Sequence, residues 1–293
     1  MKILMTGATG FLGSRLLGRL LAAGYDVTVL KRSFSDVRRI RESLPHVRCF
    51  DLDRQTLESA FCGGPYDTIV HCATNYGRQE GMQARSGMIE TNLLLPLRLL
   101  ESAVEHGARN FVNTDTLLDK GVSPYALSKL QFREWLKHFS GEIGATTVSL
   151  EHFYGPDDDS SKFVTHIVRA LLGGVPAIPL TPGAQLRDFI YIDDVVSAFS
   201  YVLDDLNTRQ RGYVEYEVGT GKTTSIRDFV TLAKRLSGNQ ITQLEFGAIP
   251  YRPHEPMNVQ VDTSRLDAAG WRPLVSLEDG LKRTFEYERT LFR

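Results

Sequence analysis

The first thirteen residues constrain this chain more than any other stretch. Lys2-Ile3-Leu4-Met5 is a short apolar run that reads as a buried strand, and Thr6-Gly7-Ala8-Thr9-Gly10-Phe11-Leu12-Gly13 follows at once. From Phe11 to Leu21 the apolar residues recur at helical spacing, with Leu12, Leu16, Leu17, Leu20 and Leu21 on one side. The spacing is Gly-x-x-Gly-x-x-Gly, not the commoner Gly-x-Gly-x-x-Gly. The weight therefore falls on context: glycines between a strand and a helix are those that bind a dinucleotide, and a plain tight turn is the alternative. Gly7 permits the turn, Gly10 lets backbone approach a pyrophosphate without a Cβ between, and Gly13 lets helix pack close to strand. N–H groups at the helix start then face the phosphates. Gly7, Thr9, Gly10, Phe11, Leu12 and Gly13 are the candidate cofactor residues here.

The chain has 293 residues, enough for one large α/β domain or a domain with a lobe. Lysine and arginine number 34 against 35 acids, a net charge of −1, which gives no electrostatic footprint for nucleic acid or an anionic membrane. No apolar stretch reaches a membrane span, and residues 1–13 read as strand and turn rather than signal peptide, so a cytoplasmic protein is expected. Cys49, Cys62 and Cys72 show no Cys-x-x-Cys pairing. They read as buried thiols in a reducing compartment, with no disulfide and no metal site.

Strands are expected at Asp26–Leu30, Val47–Phe50, Thr68–Cys72, Asn110–Asn113 and Thr146–Leu150, with a long helix at Met88–His106. Strand and helix alternate, which argues an α/β fold with a doubly wound parallel sheet. Lys31-Arg32-Ser33 follows the second strand. NAD-selective sites carry an acid near this place for the ribose 2′-hydroxyl. A basic pair and a hydroxyl suit the 2′-phosphate of NADP(H) instead. A solvated basic loop is the alternative. Ala73, past the fourth strand, is small enough to let a cofactor backbone pass.

Ser123-Pro124-Tyr125-Ala126-Leu127-Ser128-Lys129 carries the chemistry. Ser123 can cap a helix and Pro124 fits its first turn. Tyr125 and Lys129 then lie one turn apart on the same face. A nearby lysine charge is expected to lower the phenol's pKa, so that Tyr125 exchanges a proton near neutral pH while a nicotinamide exchanges hydride with the same carbon. Among eleven tyrosines this is the only Tyr-x-x-x-Lys pair.

These residues together resemble the extended short-chain dehydrogenase/reductases, the NAD(P)-dependent epimerase/dehydratase family. The resemblance covers nearly the whole chain and implies a Rossmann fold with a smaller C-terminal α/β substrate lobe. It places Asp51 and Leu52 against the adenine and gives Asn92 a role in steadying a helix and the active site. It puts the hydroxyl partner of the tyrosine at Thr114 or Thr116. Dehydratases of the family carry Thr-Asp-Glu where this chain has Thr114-Asp115-Thr116, so dehydration is disfavoured, while Asp115 remains a candidate substrate contact. Arg187 corresponds to an arginine that binds a nucleotide-sugar diphosphate; pairing with Asp188 or another acid is the plainer alternative. Arg252 is a second candidate phosphate contact. Asp193 and Asp194 are expected to cap a helix from Val195 to Leu203. Val218-Gly219-Thr220-Gly221-Lys222-Thr223-Thr224 reads as strand, turn and helix cap, not as a phosphate loop, because Tyr216 stands where the first glycine is needed.

The expected domains are a Rossmann unit over 1–152, to which 187–212 returns, and a nucleotide-sugar lobe over 153–186 and 213–293. Asn113-Thr114-Asp115-Thr116, Leu150–Pro156 and Gln185–Ile190 look like the CDP-abequose and CDP-paratose synthase type. That likeness implies NADPH-dependent reduction of the 4-keto group of a CDP-3,6-dideoxyhexose in deoxysugar (lipopolysaccharide O-antigen) biosynthesis. An NAD-retaining nucleotide-sugar epimerase and a non-catalytic NADP(H)-binding regulator are the alternatives. Fold analogy adds a homodimer through the helices Met88–His106 and Tyr125–Phe139.

Overall fold

A computed structural model of the chain describes residues 1–77 and 82–291. They divide into two compact units: Met1–Ser149 with Phe199–Tyr216, and Leu150–Ala198 with Glu217–Arg293.

The first unit is a seven-stranded sheet. Its strands are β1 (Lys2–Thr6), β2 (Asp26–Lys31), β3 (Arg48–Asp51), β4 (Thr68–His71), β5 (Asn110–Thr116), β6 (Gly144–Leu150) and a last strand, Tyr213–Val218. Their order is Tyr213–Val218, β6, β5, β4, β1, β2, β3. β1 pairs in parallel with both β2 and β4, β2 with β3, and β4 with β5. The order reverses between β1 and β4, the topological switch point at which such sheets bind ligands. Helices α1 (Phe11–Ala22), α2 (Met82–Ile89), α3 (Leu95–Glu105) and α4 (Pro124–His138) belong to the unit, as does the part of the helix Ile192–Thr208 from Phe199 on. Leu4, Leu30, Ile69, Phe111 and Ala145 of the strands pack with Leu99, Leu100 and Ala103 of α3 and Phe132 and Leu136 of α4 in one core. Strands covered on both faces read as continuous apolar runs, which is why β1 and β4 are so plain in the sequence.

Several expectations shift. The helix expected at Met88–His106 is broken by one π turn, Glu90–Leu94, in which the Leu95 N–H reaches Glu90 O five residues back. Pro96 has no N–H to give the carbonyl four residues before it, so the ladder cannot run through unaltered. β5 runs on to Thr116, so the Thr-Asp-Thr triplet belongs to the strand. Tyr213–Val218 joins the sheet, so its first four residues lie in the first unit, not in the lobe. The returning segment begins at Phe199 rather than 187. Cys49 and Cys62 are exposed, not buried, because β3 is the sheet's edge and Cys62 lies in a loop; all three thiols are free. Among the described residues no helix is long and apolar enough to cross a membrane.

The second unit holds short two-stranded sheets: His152–Tyr154 with Phe189–Tyr191, Leu186–Arg187 with Thr224–Ser225, and Ala177–Leu180 with Gln243–Phe246. Helices Phe163–Leu172, Ile226–Ser237 and Leu277–Leu291 accompany them. Asp188 accepts from the Thr220 N–H, the Thr220 hydroxyl and the Gly221 N–H, and so fastens the Gly219-Thr220-Gly221 turn. That turn leads to the helix capped by Ser225, whose Oγ accepts from Asp228 N–H, as the sequence implies. Asp194 departs from its expected capping role. The helix already starts at Ile192, and the Asp194 carboxylate instead takes the N–H groups of Leu274 and Val275, both at 2.9 Å.

Two glycines of α1 make opposite predictions. A Cβ on Gly13 would collide with the Gly7 carbonyl, whereas one on Gly18 meets nothing within 4 Å. Gly13→Ala should destabilise the protein by about 3 kcal/mol. Gly18→Ala, in an exposed helix interior, should stabilise it by roughly 0.5–1 kcal/mol. Urea unfolding midpoints of the two variants check both signs.

Candidate active site

The glycine turn sits at the C-terminal end of β1. Gly7 adopts φ +72°, and a Cβ there would strike the Cys72–Ala73 backbone at the end of β4. The turn closes through Gly10 N–H to Gly7 O at 3.0 Å. A Cβ on Gly10 would meet only that Gly7 oxygen, so its outer side is open. Gly10 is the N-cap of α1, with no side-chain cap and no acid in the first turn. A helix start with neither cap nor acid, beside an open glycine, fits a pyrophosphate. Thr9 and Phe11 are partly exposed here, while Leu12 and Gly13 face inward.

The residues expected at the adenosine ribose are partly engaged already. Lys31 pairs with Asp51. The Ser33 N–H and hydroxyl both donate to Asp53, and these hydrogen bonds hold the Asp53 carboxyl below its ordinary pKa. Arg32 is exposed and lies over the Phe34 ring, 4.8 Å from its centroid. Of the Lys31-Arg32-Ser33 trio, Arg32 is thus the one without a carboxylate partner among the described residues. Leu52 is half-buried beside Asp51, and the Ala73 N–H donates to Thr6 Oγ1 at 3.2 Å.

Asn92 lies in the π turn and is fully buried. Its Oδ1 accepts from Asn75 N–H, and its Nδ2 donates to Asn75 O and Ser128 Oγ, at 2.8, 2.9 and 3.0 Å. It thereby ties the loop after β4 to Ser128 of the helix Pro124–His138, in a local geometry that often marks functional sites.

α4 starts as the sequence implies, with Ser123 Oγ accepting from Ala126 N–H and Pro124 in the first turn. The Tyr125 ring lies 5.1 Å from the Tyr76 ring, a neighbour that sequence reasoning missed. Burial pushes the phenol well above its ordinary pKa, Tyr76 and Asp115 add to this, and hydrogen bonding with Thr116 opposes it. The expectation of a lowered phenol pKa is therefore corrected, because desolvation wins. Lys129 is 1 % exposed, and its Nζ has no hydrogen-bond partner among the described residues. Burial lowers its pKa, while Asp115 and Cys72 oppose the shift. A buried ammonium without a partner is costly, and a ribose hydroxyl is the kind of acceptor it lacks.

The two threonines separate. Thr114 donates its hydroxyl to His71 O at 3.1 Å. Thr116 Oγ1 accepts from Leu118 N–H at 3.2 Å, which leaves its own proton to donate, and it faces the Tyr125 phenol. Asp115, read from the resemblance as a substrate contact, points inward: its side chain is fully buried and held by Arg133 at 2.7 Å. Arg133 was not among the sequence candidates. Its only signal is its place four residues after Lys129 on the same helix face.

In the second unit, Arg187 is buried and pairs with Glu255, and it also donates to Leu186 O and Pro256 O. The plainer alternative for this arginine is thus realised. Arg252 is exposed in the turn that precedes Glu255, where His254 takes φ +59°.

Comparison with known proteins follows the same lines. The family description "NAD dependent epimerase/dehydratase family" matches residues 3–219. CDP-abequose synthase of Salmonella typhimurium is 31 % identical over 296 residues, covering 96 % of each chain, and that of Salmonella muenchen is 32 % identical over 291 residues with the same coverage. Among solved structures, the UDP-glucose 4-epimerase of Thermotoga maritima with UDP-glucose superimposes with a TM-score of 0.87 at 25 % identity, over 100 % of both chains. The UDP-glucose 4-epimerase of Thermus thermophilus in complex with NAD gives 0.80 at 25 % identity, over 99 % of both.

The isolated amine makes a testable trade. Lys129→Met should stabilise the cofactor-free protein by about 1–3 kcal/mol at neutral pH, because it removes an unpaired buried charge. The folded-state pKa lies below the unfolded value of about 10.4, so the unfolded chain binds the proton more tightly and wild-type stability recovers as pH rises. The gain should therefore shrink between pH 7 and about 10, as read by urea unfolding at both values. Dinucleotide affinity should fall in the same variant.

Proposed function

The chain belongs to the NAD dependent epimerase/dehydratase family, and within it we propose that it reduces the 4-keto group of a nucleotide-activated deoxysugar with NADPH, most closely a CDP-4-keto-3,6-dideoxyhexose. The observation that carries this reading is end-to-end similarity, at 31 and 32 % identity, to two CDP-abequose synthases. The site's geometry supports it. Both Asp115 oxygens are engaged inside the protein, so the strand end offers Thr116 and Tyr125 to a carbonyl rather than an acid for eliminating water.

Bound NADPH would supply the hydride for C4, and this chain's residues would handle the proton and the charge. As the C4–oxygen π pair moves onto oxygen, Tyr125 gives that oxygen its phenolic proton. A phenol kept above its ordinary pKa is fully protonated at neutral pH and so begins as the acid. The Thr116 hydroxyl donates to the same oxygen and stabilises its developing charge. Lys129 holds the nicotinamide ribose through its unpartnered Nζ, and its charge favours the phenolate left behind. Gly7, Thr9, Gly10, Phe11, Leu12 and Gly13 cradle the pyrophosphate, Arg32 takes the 2′-phosphate, and Asp51 with Leu52 borders the adenine. Arg252 serves the substrate diphosphate, and Arg187 shapes the loop that carries it.

One observation favours a second reading. Asp53 occupies the Ser33 donors that a 2′-phosphate would use, and a carboxylate there suits a free ribose 2′-hydroxyl. That is the NAD-retaining epimerase. We also propose a cytoplasmic homodimer joined through α2, α3 and α4, on which Leu127 and Trp135 are 43 and 45 % exposed.

Cofactor released on denaturation, followed by titration of the emptied protein, separates the two readings. The reductase predicts an empty or exchangeable site that prefers NADPH and oxidises it stoichiometrically with a 4-keto nucleotide-sugar. Tightly held NAD makes it an epimerase. Tyr125→Phe should lower turnover by about 10²–10⁴-fold with NADPH binding retained; unchanged turnover removes Tyr125 from the chemistry. Trp135→Glu should shift the sedimentation coefficient from dimer to monomer.

A further inference from the structure

The peptide of Thr116 is gripped from both sides. Its N–H donates to Asp115 Oδ1 at 2.7 Å, and its carbonyl accepts from the Arg133 guanidinium at 2.9 Å. Arg133 Nε closes the ring by donating to Asp115 Oδ2 at 2.7 Å. The Asp115 side chain is wholly buried and that of Arg133 is 16 % exposed. The rest of the guanidinium is met by Glu215 at 3.1 Å and Ser149 Oγ at 3.4 Å, and Ser149 in turn donates to Glu215 at 2.7 Å. All of these groups lie in the first unit.

We propose that Arg133 and Asp115 are positioning residues that fix the Thr116 hydroxyl against Tyr125 for proton delivery to the substrate oxygen. The proposal rests on the ketoreductase reading of this site. Thr116 is the last residue of β5, where the strand ladder ends, so its hydroxyl is only as fixed as the peptide that carries it. Tyr125, Lys129 and Arg133 follow one another at four-residue intervals on α4, so one face of one helix carries the acid, its cation and the anchor of the acid's partner. Arginine suits this task because its planar fork reaches a carboxylate and a carbonyl at once, which a lysine's single ammonium does not. The two residues also bear on the site's charge. The groups that act on Tyr125 are Tyr76 from the loop after β4 and Asp115 and Thr116 from β5. Asp115 raises the phenol's pKa and favours the Lys129 ammonium, which Arg133 opposes.

An ion pair that merely stabilised the core would give up stability, cofactor affinity and turnover together. A positioning pair gives up turnover alone, and the full-length variants Arg133→Lys and Asp115→Asn tell these apart. Each is assayed for kcat and KM with the 4-keto nucleotide-sugar, for NADPH affinity by fluorescence titration, and for amide hydrogen exchange around Thr116. Arg133→Lys is expected to lower kcat by roughly 10–100-fold, the scale of an ångström's misplacement. KM and NADPH affinity should stay within about threefold, and the Thr116 segment should exchange faster. Asp115→Asn should also move the alkaline limb of the kcat/KM profile to lower pH, since the carboxylate that raises the phenol's pKa is gone. Gln131→Ala, at an exposed position of the same helix, should match wild type.

Turnover retained within about twofold in both variants overturns the proposal. So does a loss of kcat that runs in parallel with NADPH affinity, or Thr116 exchange that stays at the wild-type rate. If Asp115→Asn does not fold, Arg133→Lys decides, because it keeps the charge opposite Asp115. If the wild-type protein reduces no 4-keto nucleotide-sugar, the reading of the function fails, while hydrogen exchange still decides whether the grip on Thr116 exists.

Discussion

The structure depends on one contact between backbones. Gly13 of α1 lies against the carbonyl of Gly7, and Gly7 lies against the Cys72–Ala73 backbone at the end of β4. No side chain fits at either place. The contact brings the first helix, the first strand and the fourth strand together where the strand order reverses. The same closeness leaves Gly10 at an open helix start, so the packing that orders the sheet also shapes the candidate site. Fold and site share a cause: omission of two Cβ atoms.

The second determining effect is desolvation. α4 carries Tyr125 and Lys129 into a setting where neither charged form is favoured, and each pKa moves away from the charged state. His71 nearby is likewise held neutral by burial, with Nδ1 hydrogen-bonded to Thr6 Oγ1. The fold thus gathers buried groups whose charged forms are disfavoured. What retains them is a frame of satisfied bonds: Asn92 to the loop after β4 and to Ser128, and Arg133 to Asp115, Thr116 and Glu215. Groups whose charged forms are disfavoured, held in place by hydrogen bonds from Asn92 and Arg133, are what a preorganised site requires.

Much of this was legible in the chain. The glycine turn, the order of strands and helices, the Ser123 cap and the Tyr125–Lys129 face all follow from residues within a few positions of one another, where propensity and spacing act. The helix over Met88–His106 was legible too, but its π turn, which buries Asn92, depends on which carbonyl Pro96 leaves unserved and where the helix must still pack. Other residues changed meaning in space. Lys31 reads as a phosphate cation until Asp51 stands beside it, and Ser33 as a phosphate donor until Asp53 does. Asp194 reads as a cap until the chain eighty positions on brings two N–H groups to it.

The sequence by itself determined the Rossmann unit, the glycine turn and the shared helix face of Tyr125 and Lys129, because each is set by local sterics and helical or strand periodicity. The tertiary structure alone decided which threonine faces Tyr125, that Asp115 turns inward to Arg133, and that burial rather than Lys129 governs the phenol. Those outcomes depend on partners far apart in the chain and on how much water the fold excludes from between them, and neither quantity is written in the spacing of residues.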